Sequence, residues 1–185
     1  QRLQQNDLDR VREIAGDPDW HLVPLIEGSV TAVRNNGEVN KQLKLIGLDL
    51  LSLGNLPKVS RESIQFSEDD NEWYDWLGTE NEVWVSRKLA NDLSLSEGDT
   101  IPFLASGRKG KMKVRMILGN EENNLPDDLV LADIPTVQNL LRRPGELNRV
   151  EVVINQTNKR EDKSYLSEIE SRIQLDLPEH LSLSP

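Results

Sequence analysis

The segment 82–154 alternates short apolar runs with turn and cap residues, and this pattern restricts the possible folds more than any other feature of the sequence. Its first run, Val83–Val85, has the length of a short buried strand. The hydroxyl of Ser86, which follows, can accept a hydrogen bond from an unpaired N–H at the start of a helix. Leu89 and Leu93 then lie on one face over two helical turns. The segment therefore opens with a predicted strand that leads directly into a short helix.

A β-hairpin is predicted to follow this helix. Glu97–Asp99 forms a turn, because Gly98 can adopt the positive φ that other residues disfavour. Ile101 opens the next strand, and Ser106–Lys111 is predicted to be the basic tip of the hairpin. Lys113–Leu118 alternates in the manner of a half-buried strand.

The C-terminal part of the chain predicts alternating strands and helices. Leu129–Leu131 has the length of a strand, Ile134–Leu141 has the spacing of a helix, and Arg149–Ile154 is a second strand. Lys159–Ile173 has the spacing of an amphipathic helix, and Leu175–Leu183 is a weak final strand.

The N-terminal part predicts a helix and then a hairpin. Apolar residues recur at helical spacing over 3–15, and an extended apolar run covers 21–33. Asn35–Gly37 is a strong hairpin turn, and the chain returns as a strand over 42–49. Residues 52–72 lack periodicity and are predicted to form a connecting loop.

Composition excludes several classes of function. The formal net charge is −10, so the chain repels phosphate backbones, and we expect no binding to nucleic acid. The absence of cysteine removes thiol catalysis, thiolate metal sites and disulfides. No apolar run approaches the about 20 residues that a membrane helix needs, so we expect this chain to be soluble by itself.

Two stretches of the sequence resemble the extracytoplasmic core domain of FtsX/MacB-type ABC transporter permeases, most closely the large permeases of the YbbP type. They are VWVSRKLANDLSLSEGDTIPF and LVLADIPTVQNLLRRPGELNRVEVVI. The resemblance implies an α+β fold that is discontinuous in sequence. An α+β subdomain would be built from 1–55 and 125–185, with a β-rich subdomain inserted over 56–124.

The resemblance also implies a function without catalysis. This chain would transmit ATP-driven motion from the membrane to the envelope or contact cargo on the periplasmic side of the bacterial inner membrane. A separate ATPase subunit would hydrolyse ATP, and a periplasmic adaptor, a lipoprotein or a lipophilic cargo would be the partner. Because the chain starts at Gln1 without Met, we expect it to be a fragment of a longer protein. The resemblance implies membrane helices on both sides of it, and we expect the isolated fragment to be a monomer.

No catalytic, cofactor-binding or metal-binding residues are expected. Met112 stands where a phosphate-binding loop needs Ser or Thr, and no Gly-x-Ser-x-Gly elbow is present. The two histidines, His21 and His180, lack metal-ligand spacing. The acidic run Glu68–Glu72 lacks the pattern of a calcium loop and is interpreted as a solvated surface.

Two groups of residues are candidate contacts for a partner. An aromatic cluster predicted on one helical turn combines apolar area with polar tips, as interface anchors do, although it can equally anchor the preceding loop to the core. The basic hairpin tip can meet an acidic surface or be only a solvated turn. The candidate residues are Trp73, Tyr74, Trp76, Arg108, Lys109 and Lys111.

An alternative function stays open at this point. The chain can also be a stand-alone soluble protein with a β-barrel core that binds or hydrolyses a small molecule. The lack of a nucleophile, a thiol, a phosphate loop and a metal pair argues against it.

Overall fold

The structure is a computed structural model that describes residues 3–15, 20–33, 39–49, 80–119 and 125–154, together with scattered residues between 167 and 182. The strands are β1 (Leu3–Gln4), β2 (Trp20–Val33), β3 (Val39–Leu48), β4 (Glu82–Ser86), β5 (Thr100–Ala105), β6 (Arg108–Leu118), β7 (Leu129–Asp133), β8 (Glu146–Leu147) and β9 (Arg149–Ile154). The helices that these continuous ranges contain are α1 (Asp7–Ala15), α2 (Arg87–Leu93) and α3 (Ile134–Leu141).

Six of the described strands, β2 to β7, close into a β-barrel. β3 pairs with β7 in parallel and β4 pairs with β6 in parallel, whereas β7 with β4, β6 with β5, and β5 with β2 are antiparallel. β2 also pairs with β3 from Leu25 to Val33, which joins the last strand of the ring to the first. Because the strand order returns to its starting point, the ring has no exposed edge where the strands are paired.

The barrel interior is built mainly from aliphatic side chains. The strand register places Val30 opposite Leu43 and Leu45 beside Val130, so these residues share the inner face. All four are at most 2% exposed. The same alternation along each strand brings further buried residues inward: Ile26, Ala32, Val83, Val85, Ile101, Phe103, Met112 and Val114.

A second apolar cluster covers part of the outer face of the barrel. Its buried members are Leu25, Leu48, Trp84, Leu118, Leu129 and Leu131. Val83–Val85 and Leu129–Ala132 are therefore buried on both faces of the sheet, which explains why they are continuous apolar runs without alternation.

Helix α3 covers the barrel end at which Gly28 and Gly47 face inward. It begins where the Asp133 carboxylate accepts a hydrogen bond from the Thr136 N–H at 2.7 Å, so Asp133 is its N-cap. It ends at Arg142, which has φ 56° and donates its N–H to the last carbonyls of the helix. The glycines have no Cβ, so the helix packs directly on the strand backbone.

Helix α2 forms as the sequence predicts. The Ser86 hydroxyl accepts a hydrogen bond from the Leu89 N–H at 3.2 Å, and Leu89 and Ala90 are buried. In the turn that follows, Gly98 has φ 91°, and its N–H donates to the Val114 carbonyl at 2.7 Å. The predicted turn therefore fixes the start of β5 beside β6.

The hairpin between β5 and β6 is tighter than the sequence prediction. Only Ser106 and Gly107 form the turn, with φ 48° and 76°, the pair of positive values that suits a two-residue hairpin. Ala105 pairs with Arg108 directly across it. The predicted tip over 106–111 was therefore wrong in its length, because Arg108–Lys111 belong to strand β6.

By its internal contacts, the chain divides into one unit of residues 25–144, which holds the barrel, and one of residues 1–24 and 145–185. In the second unit β1 pairs with β8, and the Gln5 N–H donates to the Gly145 carbonyl at 2.7 Å. The helix predicted over 3–15 therefore begins only at Asp7. Leu8, Val11 and Leu147 are buried.

The α+β fold class predicted from the sequence is confirmed. The division into 1–55, 56–124 and 125–185 stays a prediction. The loop predicted over 52–72 lies outside the described residues. So does most of the predicted helix 159–173, although the described residues between 167 and 176 are helical. Asp176 lies among these helical residues, so the strand predicted from residue 175 was wrong at its start.

Candidate partner-binding site

The three cations of the predicted basic tip are on the surface. Arg108, Lys109 and Lys111 are exposed, and all belong to the first half of β6. Between Lys109 and Lys111, Gly110 lies against the ring of Phe103, where any Cβ would overlap the ring. The tight contact at Gly110 holds the strand flat against the aromatic ring and directs the two lysines away from the core.

A cleft of about 420 Å³ lies beside this strand, between the hairpin and the end of α3. Four cations line it, because Arg142 at the C-cap of α3 joins Arg108, Lys109 and Lys111. Its apolar lining includes Phe103, Leu140 and Leu141, and the described residues that line it include no carboxylate. The cleft is therefore a cationic site on a chain whose net charge is −10.

Sequence reasoning identified three of these four cations and missed Arg142. Nothing in the sequence brings Arg142 near the hairpin, since the two are separated by β7 and all of α3. Its left-handed conformation is unusual for a residue with a side chain, and only the helix end explains it. The aromatic candidates Trp73, Tyr74 and Trp76 lie outside the described residues.

A separate charged cluster ties three elements of the barrel unit together. The Lys41 ammonium on β3 lies 2.5 Å from an Asp92 oxygen on α2 and 3.6 Å from an Asp127 oxygen. Partial burial by itself lowers the pKa of Lys41, but the hydrogen bond to Asp92 and the charges of both aspartates outweigh it. The pKa of Lys41 is therefore raised above its ordinary value, as expected for a lysine in a structural ion pair.

No group of three or more metal-ligating side chains occurs among the residues that the structure describes. His21 is half-buried near the start of β2, and His180 lies outside the described residues. Within the described part of the chain, no helix is both long and apolar enough to cross a membrane.

Comparison with known sequences gives one curated relative. No protein-family model matches the chain. An uncharacterised ABC transporter permease protein of Mycobacterium tuberculosis is 28% identical over 134 residues. The match covers 71% of this chain but only 15% of that protein.

Three solved structures share the fold over nearly the whole chain. The extracellular domain of the ABC-type transporter YknZ from Gram-positive bacteria has a TM-score of 0.59 at 15% identity, covering 95% of this chain and 82% of that one. The periplasmic region of MacB from Actinobacillus actinomycetemcomitans has a TM-score of 0.55 at 10% identity, covering 95% and 74%. A domain of a putative permease from Porphyromonas gingivalis has a TM-score of 0.51 at 11% identity, covering 96% and 72%.

The first two neighbours are extracellular or periplasmic regions, in agreement with the location predicted from the sequence, the periplasmic side of the bacterial inner membrane. The resemblance to FtsX/MacB-type permeases predicted from the sequence is likewise confirmed. The chain therefore has the fold of the extracytoplasmic domains of MacB-type ABC transporter permeases.

Proposed function

We propose that this chain is the extracytoplasmic domain of an ABC transporter permease and that it carries ATP-driven motion from the membrane to a partner or a cargo. The observation that supports this most strongly is the likeness to the YknZ extracellular domain, which extends over 95% of the chain. The curated permease relative supports the same assignment from sequence.

The barrel gives a physical basis for this role. Its six strands are hydrogen-bonded around a complete ring, so a displacement at one end moves the ring as a body. ATP hydrolysis itself would take place on a separate cytoplasmic subunit that contacts the membrane part of the permease. A conformational change is useful only if the two states make different contacts with a partner or cargo.

The location can be tested with an introduced thiol in a parent permease from which any cysteine outside this chain has been removed, because the chain itself contains no cysteine. Lys88 is exposed on α2, so Lys88→Cys in the full-length parent permease is expected to react with a membrane-impermeant maleimide added to intact cells. Val30 is 2% exposed, so Val30→Cys is the matched control and is expected to react only after denaturation. Reaction of Lys88→Cys only after cell lysis would contradict the location.

Coupling is tested with spin labels on the same position. In a permease assembled from two copies, the distance between labels at Lys88→Cys of each copy is expected to change when the ATPase subunit is trapped with vanadate. Two labels within one barrel, at Lys88→Cys and Lys111→Cys, are expected to keep their distance. An unchanged distance between copies would reject the coupling role while leaving the location intact.

A further inference from the structure

The four cations of the cleft are available to an outside ligand. Arg108, Lys109, Lys111 and Arg142 are all exposed, and none forms an ion pair with another described residue. Several other cations of the barrel unit are paired, for example Lys113 with Glu82 at 2.9 Å and Lys41 with Asp92. Concentrated positive charge attracts an anionic partner and selects against cationic ones.

The backbone beside the cleft is also available. β6 pairs with β5 over Arg108–Lys113, but it pairs with β4 only from Lys113 onward. Over Arg108–Met112 no described strand pairs with the other side of β6. Asn81, whose carbonyl accepts from the Lys113 N–H at 2.9 Å, marks the point where this pairing stops, and Asn81 lines the cleft. The cleft therefore runs along a short edge of β6 that is unpaired among the described strands.

We propose that this edge and the cationic cleft together bind an extended acidic segment of a protein partner, which adds to the barrel as a strand beside β6. Strand addition takes its affinity from main-chain hydrogen bonds and its specificity from alternate side chains. Lys109 and Lys111 are two residues apart and point to the same face. They therefore match a segment that carries a carboxylate at every second residue.

The strand edge favours a peptide over other anionic ligands. A phosphate or a lipid headgroup can use the cations, but it offers no alternating N–H and C=O groups to pair with β6. The two arginines suit a carboxylate because their guanidinium groups can bind it through two parallel hydrogen bonds. Charge and backbone geometry thus point to one class of partner.

This inference adds a class of partner to the proposed function. It rests on that function only for the side of the membrane on which the partner is found. Peptide binding is measured on the 185-residue chain without ATP, so it does not depend on coupling. Loss of coupling in the parent permease and loss of peptide binding here are therefore separate results.

The probe is a fluorescent eight-residue peptide that alternates Thr and Glu, followed by fluorescence anisotropy at low ionic strength. Lys109→Glu is expected to weaken binding about fivefold, because it converts an attraction at a partly exposed site into a repulsion. Lys88→Glu makes the same change in net charge on α2, outside the cleft, and is expected to weaken binding less than twofold. Arg142→Asn removes the fourth charge with a residue that tolerates the left-handed conformation, and it is expected to weaken binding about threefold.

Two altered peptides separate charge from strand pairing. A peptide alternating Thr and Gln is expected to lose binding, and so is the acidic peptide methylated at alternate backbone nitrogens. Equal weakening by Lys88→Glu and Lys109→Glu, or unchanged binding of either altered peptide, would overturn the proposal. So would binding to phosphatidylglycerol vesicles that depends on Lys109 in the absence of peptide binding, since the cleft would then recognise a membrane surface. Circular dichroism of each variant confirms that it is folded.

Discussion

Two glycines of the β2–β3 hairpin allow α3 to lie directly on the barrel. Gly47 and Gly28 face the helix, and a Cβ at either position would overlap a neighbouring side chain. The atoms that an added Cβ would meet differ between the two positions. At Gly47 they are Ile26 and the body of α3 itself, including the Ile134 Cα at 3.2 Å, whereas at Gly28 they are the end of the flexible Leu141 side chain.

Gly47→Ala is expected to destabilise the chain by about 1–2 kcal/mol. The added methyl group overlaps the Ile26 Cγ2 atom and is held from the other side by Val137 and the Ile134 Cα of α3, so it has little room to shift. This overpacking costs about 1–3 kcal/mol, and the better strand propensity of alanine offsets part of it. Urea unfolding followed by circular dichroism gives the change in the free energy of unfolding. Gly28→Ala is the matched control, and we expect a smaller cost because Leu141 can adopt another rotamer. Equal costs at both positions would show that the close packing of Gly47 between Ile26 and α3 is not the cause.

At the scale of elements, an ion pair joins β3 to α2. Lys41 lies opposite Ala32 in the register of the barrel, so it follows the inward alternation of Leu43 and Leu45 at the end of the strand. Its side chain is 23% exposed, and Asp92 on α2 compensates the charge. The pair fixes where α2 lies against this end of the barrel.

Lys41→Met is expected to lower stability by about 0.5 kcal/mol at neutral pH, a small value because both aspartates are more than half exposed and water screens them. The raised pKa of Lys41 sets the pH dependence. A group whose pKa is higher in the folded state stabilises that state fully below its ordinary pKa, about 10.4 for lysine. The contribution is then lost as the pH rises through the raised value.

Urea unfolding of the wild type and of Lys41→Met, repeated between pH 8 and pH values above the lysine range, measures this contribution. The difference between the two proteins is expected to be constant at the lower end and to shrink at the upper end. Lys88→Met, at an exposed position on α2, is the control and is expected to show no such trend. A difference for Lys41→Met that stayed the same throughout would mean that its charge does not stabilise the fold.

At the scale of the whole molecule, ring closure of the barrel is the main feature. β3 stands first in the strand order, and its pairing with β2 gives it neighbours on both sides. Gly28 and Val130 thus flank Leu45 from opposite directions. In an open sheet, one side of β3 would be an edge available to other chains.

Hydrogen exchange followed by NMR tests the closure directly. Successive amides of β3 point alternately toward β2 and β7, and in a closed ring both sets exchange only through large-scale unfolding. We expect the two sets over 43–48 to be protected to a similar degree. Fast exchange confined to the set that points toward β2 would show that the ring is open in solution. Backbone amides of the exposed turn at Ser106 and Gly107 provide the fast reference.

The candidate site was partly predictable. Arg108, Lys109 and Lys111 are adjacent in the sequence, so their common surface follows from local charge alone. The position of Arg142 beside the hairpin and the point where β4 stops pairing with β6 could not be predicted, because they depend on where α3 ends and where β4 begins.

The local elements follow from the order of the residues alone. Ser86 and Asp133 cap helices by contacts within three residues, and Gly98 provides the positive φ of its turn. These are short-range effects, which the order of residues fully specifies. The α+β class followed from them.

Which strands become neighbours depends on the assembled fold. The antiparallel pairing of β2 with β5 and the parallel pairing of β3 with β7 join segments far apart in the sequence. Each such strand is apolar enough to pair with several others, so periodicity does not choose among them. The strand order that is adopted buries both faces of the central strands, one inside the ring and the other under the outer apolar cluster. This burial exists only when the whole chain is assembled.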